Sequence, residues 1–335
     1  MRRFLVLTHT VVILAAAASA AGPSIRAARS ASEATRDAGS PVAGFALNGS
    51  DLRAVLGIPG ASRWSEPLTL PESTTSLRLA PGQKYALAGI AGGMAVLDLD
   101  ALLVGETVLA AIPEAMGEAS MVAFSPSGRS VTLYGGGHVQ VLTGLPESPQ
   151  VVRELDAPEG IRLLAVSDDG EAVLAAAGDG VYTLGAAGAR LIAGGDISAM
   201  AFFPASGDAV ICDRATQSAM RIGNVAGTAG VELLAGPVEG LEQASAAAVT
   251  SDSRTVLVAS AGKIWQLQLD SGSAEPVDVA GSGTLSLLRS RDSYLVSARS
   301  DEPAWMFVRE PSSPAVYFVP ALAKQVPVEG EAPAK

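Results

Sequence analysis

Residues 121–142 read MVAFSPSGRSVTLYGGGHVQVL. An apolar stretch, Met121 to Phe124, runs into Ser125-Pro126-Ser127-Gly128, and a second apolar stretch, Val131 to Tyr134, follows. Gly135, Gly136 and Gly137 then precede a third, His138 to Leu142. Proline presets the φ that a turn needs at its second position, and glycine accepts the positive φ that other residues resist. Short apolar runs punctuated in this way read as consecutive antiparallel strands joined by tight turns.

The same unit recurs in both directions along the chain. Its first strand returns at Leu77-Leu79, Leu163-Val166, Met200-Phe203, Ala246-Val249 and Leu285-Leu288. Its second returns at Tyr85-Ala88, Ala172-Ala175, Ala209-Cys212, Thr255-Val258 and Tyr294-Ser297. A weaker fourth strand closes most units, as at Arg190-Ile192, Val231-Leu234 and Val316-Val319. Phe45-Leu47 reads as one more third strand, upstream of the first full unit and followed by Leu52-Leu56. The third-strand markers Phe45, Ala95, Val139, Tyr182, Met220, Trp265 and Met306 fall on average about 43.5 residues apart, inside the ~40–45 residues of a four-stranded propeller blade. Second strands such as VLAAA (173–177) and TVLVAS (255–260) are apolar without alternation, as sheets covered on both faces require. The fold expected is all-β, a single β-propeller of four-stranded blades over residues 43–321, with seven blades preferred over six. Seven blades require the N-terminal hairpin to pair with a C-terminal strand near Val326.

The turns SPSGR at Ser125-Arg129, SDDGE at Ser167-Glu171 and SDSRT at Ser251-Thr255 resemble those of secreted WD-repeat-like and YVTN-type β-propellers. The resemblance covers residues 43–320 and implies the fold. It carries no functional residue across, because no blade ends in Trp-Asp and no Gly-His pair precedes a strand in the expected place.

The chain ends read differently. Arg2 and Arg3, the apolar Phe4 to Ala18 and the small residues Ala18-Ser19-Ala20 form a secretory signal over residues 1–20, cleaved after Ala20. Residues 21–42 are an Ala/Ser-rich flexible leader and 322–335 a polar flexible tail, with a short strand at Gln325-Val328. The location expected is secreted or periplasmic, with no membrane span after cleavage. Of 335 residues, 34 are acidic and 23 basic, and that net charge of −11 gives no footprint for nucleic-acid phosphates. Charged residues make up only 17% and apolar ones 48%, which argues against a disordered chain.

Chemistry is sparse at this level. Only His138 follows the signal, no G-x-S-x-G elbow occurs, and Cys212 lies in an apolar run as an inert buried thiol. Gly178-x-Gly180 and Gly262-Lys263 lack the further glycines of a phosphate loop and read as turns. Asp98-Leu99-Asp100 and Asp168-Asp169 are the densest carboxylate pairs, placed at a strand end and in a hairpin turn. Asn48-Gly49-Ser50 reads as a turn rather than a glycosylation acceptor. Trp265 and Trp305 read as core. No residue set is assigned to catalysis, cofactor binding or a metal, and no cofactor is expected. The function expected is therefore a non-enzymatic scaffold in the bacterial cell envelope that binds a protein partner. The alternatives are a metal-dependent, lactonase-like propeller hydrolase and a glycan-binding propeller, the last requiring Trp64 or Trp305 in an exposed cleft.

Overall fold

In the computed structural model, residues 40–48, 51–280, 283–296, 303–309 and 313–321 are described. Seven antiparallel sheets stand around one axis: blade 1 (Val42–Trp64), blade 2 (Ser76–Ile112), blade 3 (Met121–Asp156), blade 4 (Leu163–Gly194), blade 5 (Ile197–Ala235), blade 6 (Ala246–Asp278) and blade 7 (Leu285–Val319). Blades 2 to 7 each hold four strands in sequence order, labelled A to D from the axis outward. The protein is thus an all-β, seven-bladed propeller with almost no helix. Among the described residues a five-residue helix, α1 (Leu99–Leu103), departs from the all-strand reading: Asp98 accepts from the N–H groups of Asp100 and Ala101 and caps it.

The apolar runs form strands because every sheet has a neighbour on each face. In blade 6, Val256 and Val258 pack against blade 5, while Leu257 between them packs against blade 7. In blade 4, Val173 and Ala175 face blade 3 while Leu174 and Ala176 face blade 5. Neighbouring side chains on a strand point to opposite faces, so double cover makes consecutive positions apolar. Seven buried clusters result, one in each seam. The last joins Val55 and Trp64 of blade 1 to Leu295 and Met306 of blade 7, which closes the ring.

Blade 1 departs from the expected register. Its described strands, Val42–Asn48, Asp51–Ile58 and Ala61–Trp64, occupy positions B, C and D. The strand holding Phe45 lies beside the A–B turn of blade 2, where Phe45 N–H donates to Gln83 Oε1 at 2.6 Å. In the same way, Ser130 at the start of strand B in blade 3 donates to the turn of blade 4 through Asp168 O at 2.8 Å. Phe45-Leu47 is therefore a second strand and not a third, and Ala61–Trp64 is a strand the sequence reading omitted. Strands B and C are both covered on two faces, so their apolar runs look alike. No described residue fills position A of blade 1; the strand expected near Val326 to complete it lies outside the described residues, as do the signal and almost all of the leader and the tail.

The A–B turns are tied to one another around the axis. Asp168 accepts from Ser127 N–H (2.8 Å) and Oγ–H (2.6 Å) in blade 3 and from Ala205 N–H (2.8 Å) in blade 5. Asp292 of blade 7 accepts from Ser251 N–H and Oγ–H of blade 6, both at 2.8 Å. Gln83, 1% exposed, returns its Nε2–H to Phe45 O at 2.9 Å, which binds blade 2 to blade 1 through two bonds.

Two outcomes are expected. Gln83→Ala leaves both backbone groups of Phe45 without these partners, and chemical denaturation should show a loss of about 1–3 kcal/mol. The second concerns Asp252, whose pKa burial tends to raise. Hydrogen bonds from Thr250 Oγ–H and Arg254 N–H, together with Arg309, outweigh that and hold it below the usual carboxylate value. Asp169 and Asp208 are held low in the same manner. A folded pKa below the unfolded one, about 3.9, means that the unfolded chain binds more protons as pH falls. This stabilisation is present above the unfolded pKa and is lost as pH drops through the lower folded values. Thermal melts below about pH 4 should fall steeply for the wild type and less steeply for Asp252→Asn.

Candidate functional site

The two rims of the ring differ in chemistry. The A–B and C–D turns form one rim, where the carboxylates of greatest sequence density are already engaged. Asp168 binds Ser127 and Ala205, and Asp169 binds Ser167 Oγ–H (2.5 Å) and Glu171 N–H (2.9 Å). Asp98 caps α1, and Asp100 meets Arg289 at 2.6 Å. Among the described residues no three His, Cys, Asp or Glu side chains are grouped to hold a metal ion. The divalent site invoked by the lactonase-like alternative therefore has no fitting donor set among the described residues.

A recess of about 500 Å³ opens on this rim between blades 3, 4 and 5. Its Arg153 donates to Gly170 O and its Arg190 to Gly227 O, and its floor is Ala and Gly of the blade 4 C–D turn. Its guanidinium groups are tied to backbone carbonyls, and beside the Ala and Gly floor Glu171 and Thr183 add the remaining polar side chains.

The opposite rim carries the B–C turns and the connections between blades. The connection 236–245 enters through Gly236 and Pro237 and makes one 3-10 turn at Leu241–Gln243. Leu241 anchors it by inserting, fully buried, into the seam between blades 5 and 6. Val238 N–H donates to Gln217 O (2.9 Å), Ser245 N–H to Ala259 O (2.9 Å), and Ser260 Oγ–H to Gly240 O. This arch stands over the B–C turn of blade 6, where Ser260 pairs with Lys263. Between them lies a recess of about 300 Å³ lined by Glu239, Gly240, Glu242, Gln243, Ser260, Ala261, Lys263 and Trp265.

Each wall has a distinct role. Trp265, on strand C of blade 6, is 9% exposed and belongs to the blade 5–6 core, yet its buried indole N–H has no hydrogen-bond partner. Gly240 covers that edge with φ +104°; a Cβ there would lie 3.3 Å from Nε1, so glycine provides both the left-handed backbone and the close approach. Glu242 Oε2 accepts from Gly240 N–H at 2.8 Å, which fixes one carboxylate in the arch. Glu239 lines the rim, exposed, with no hydrogen bond or ion pair among the described residues. The Lys263 ammonium lies 5.8 Å from the Trp265 ring centroid. One free carboxylate, one fixed carboxylate and one ammonium thus converge from two separate segments, above a Trp265 ring edge that Gly240 covers.

His138 is not alone: strand register sets it opposite Asp156, with Nδ1 and Oδ1 3.2 Å apart, on the open surface of blade 3. Cys212 is fully buried, and burial pushes its thiol up to about 12, as an inert core position requires. Trp64 is 4% exposed and Trp305 packs on Phe318 with ring centroids 5.3 Å apart, so neither forms the exposed cleft that the glycan-binding alternative needs. Trp265 is core, as expected, and its ring also borders the blade 5–6 recess. Asn48 pairs with Asp51 at the end of the ladder between the first two strands of blade 1, and Gly49-Ser50 lies outside the described residues. Among the described residues no helix is long and apolar enough to cross a membrane.

No family model and no curated protein matches the chain. Solved structures do, 952 chains in all, which is too many for the fold by itself to select an activity. A periplasmic gluconolactonase from Pseudomonas aeruginosa is 16% identical, with a TM-score of 0.55 over 84% of this chain and 96% of that one. A proposed 6-phosphogluconolactonase from Bacteroides uniformis is 15% identical, with a TM-score of 0.55 over 83% of this chain and 94% of that one. A protein of unknown function from Desulfotomaculum acetoxidans is 14% identical, with a TM-score of 0.55 over 84% and 100%. These findings overturn the expectation of a non-enzymatic scaffold. Its premise was that the repeats carry no convergent chemistry, whereas propellers of this architecture are named as lactonases and the blade 5–6 recess gathers ionisable groups. The expectation of no enzymatic activity falls with it, and the lactonase-like alternative is the better supported of the two.

Proposed function

We propose that the protein is a hydrolase of sugar lactones acting in the blade 5–6 recess. The observation that carries the reading is the convergence of Glu239, Glu242, Lys263 and Trp265 in one recess on the long-connection rim. The fold shared with proteins named as gluconolactonases supports it. The YVTN-type affiliation of the S-P-S-G-R-like turns and export through residues 1–20 belong to the same proposal.

Lactone hydrolysis needs a base for water and a positive group for the oxygen that becomes negative. Glu239, the carboxylate without a protein partner, takes a proton from water as the water oxygen bonds to the lactone carbonyl carbon. Lys263 faces the resulting oxyanion. When the tetrahedral species collapses, the bond to the ring oxygen breaks, and that oxygen recovers the proton from Glu239. The product is the open-chain hydroxy acid, with one water consumed and Glu239 restored to its carboxylate. Glu242 is a positioning residue: its bond to Gly240 N–H holds the arch over Trp265.

The test follows acid release from glucono-1,5-lactone in a pH-stat, with spontaneous opening subtracted. The wild type should exceed the spontaneous rate, and Glu239→Gln should lower kcat by about 10²–10⁴-fold with an unchanged melting curve. A wild-type rate equal to the background, or an unaltered rate in Glu239→Gln, would overturn the reading.

A further inference from the structure

We infer that the outer strand of blade 7 is a docking edge for a second copy of this chain, joined to it strand to strand in antiparallel register. Strand D of a blade faces outward with one row of backbone N–H and C=O groups unpaired. Proteins blunt such edges with charge, proline, bulges or brevity, and blades 1 to 6 each carry one of these devices. Arg63 stands in strand D of blade 1, and blade 2 offers only the four residues Leu109–Ile112. In blade 3 the strand holds Arg153 and Glu154, in blade 4 Arg190 and in blade 5 Glu232. A bulge interrupts its pairing with strand C in all three. Blade 6 has Glu275, Pro276 and Asp278. Strand D of blade 7, Ala315–Val319, reads AVYFV, with no charge, no proline and an unbroken register. Phe318 is 48% exposed there, with the Trp305 ring edge-on against it. Among the described residues no strand pairs with its outer edge.

The identity of the occupant follows from the residues of the edge. Residues 314–320 read PAVYFVP, close to a palindrome about Tyr317. A two-fold interface must be self-complementary, and antiparallel pairing centred on Tyr317 meets that demand. It sets Tyr317 opposite its counterpart, Val316 opposite Phe318, and Ala315 opposite Val319. Aromatic residues paired with β-branched ones stabilise antiparallel neighbours. Pro314 and Pro320 bound the segment at both ends. A slip in register brings a proline opposite the strand, where it has no N–H for the ladder. The centred register alone keeps all five residues paired. Charge agrees: the chain carries −11, yet residues 313–321 hold no charged side chain, so two copies meet here without like charges opposed. Five residues a side make a small interface, so the dimer is weak and concentration-dependent.

The experiment takes the full chain after signal removal through sedimentation equilibrium from micromolar to millimolar concentration. The mass should rise toward that of two copies. Phe318→Lys, which puts a charge on the edge, should weaken dimerisation by about tenfold or more. Disulfide formation tests the register. Cys212 is fully buried, so a cysteine introduced on the edge is the thiol that reacts. Tyr317→Cys sets two Cβ atoms about 5 Å apart across the two-fold, whereas Phe318→Cys holds them diagonally at about 7–8 Å, beyond the span of a disulfide. Covalent dimer should therefore form about tenfold faster, or more, at 317 than at 318. A wild type that stays monomeric at every concentration would overturn the inference. So would a dimer seen only when residues 322–335 are deleted, since the chain's own tail would then occupy the edge. A dimer of unchanged affinity in Phe318→Lys, with equal cross-linking at both positions, would place the contact on another surface and sink the inference too.

Discussion

Every sheet in this ring must present an apolar surface on both of its faces, and most of the structure follows from that demand. A strand in an isolated sheet can be polar on one side, whereas strand B of blade 6 sends Val256 and Val258 one way and Leu257 the other into separate cores. The low charge content and the runs of Val, Leu and Ala are consequences of it. Ring closure is the same demand applied to the ends of the chain. Without blade 1, the faces of blades 2 and 7 that hold Leu77, Ala86, Leu295 and Met306 would lie open to water. Each fully buried aliphatic side chain contributes about 1.5–3 kcal/mol, so closure is favoured over an open arc. Small side chains in the inner strands, such as Ala246, Ala247 and Ala248, let seven such sheets converge without collision.

The parts of this architecture that were legible in the sequence are those set by local chemistry. Pro126 and Gly128, or Asp168 and Gly170, specify a turn whatever surrounds them, and the strands on either side were found within a few residues. Blade 1 was misread because what separates strand B from strand C there is position in the ring, not local sequence. Phe45 and Leu47 satisfy either. The ladder between His138 and Asp156 was hidden for a related reason: pairing across a hairpin depends on register, and a bulge lies between Val141 and Leu142. The recess was least legible of all. Its carboxylates come from a Pro/Gly connection without a motif, its ammonium from a two-residue turn, and its indole from a strand that looks like core because it is core.

The unequal rims follow from how the chain winds. On the turn rim, short hairpins bring side chains from adjacent blades within bonding distance, and the carboxylates there are consumed in holding turns together. Asp168 alone links three blades. On the other rim the chain crosses from the outer strand of one blade to the inner strand of the next, so its connections are longer and their backbone is less fully committed. Polar side chains can be left without partners there at a tolerable cost in stability, and function is disproportionately found on such segments when a rigid scaffold positions them.

Trp265 joins the doubly covered core to the recess. Its ring fills the seam between blades 5 and 6, so its orientation is fixed by Val256, Val258 and Leu241, residues that touch nothing in solvent. The same fixation holds the ring at a defined place in the wall of the recess, which a loop residue could not do as accurately. Gly240 completes the arrangement from the other side, since any larger residue would press a Cβ against the indole edge. The indole is therefore held by the fold while the carboxylates are carried by the arch. The two are linked through Leu241, which belongs to the arch in sequence and to the seam in space. A change that loosens the seam must also move the arch, so stability of the ring and geometry of the recess are bound to the same few contacts.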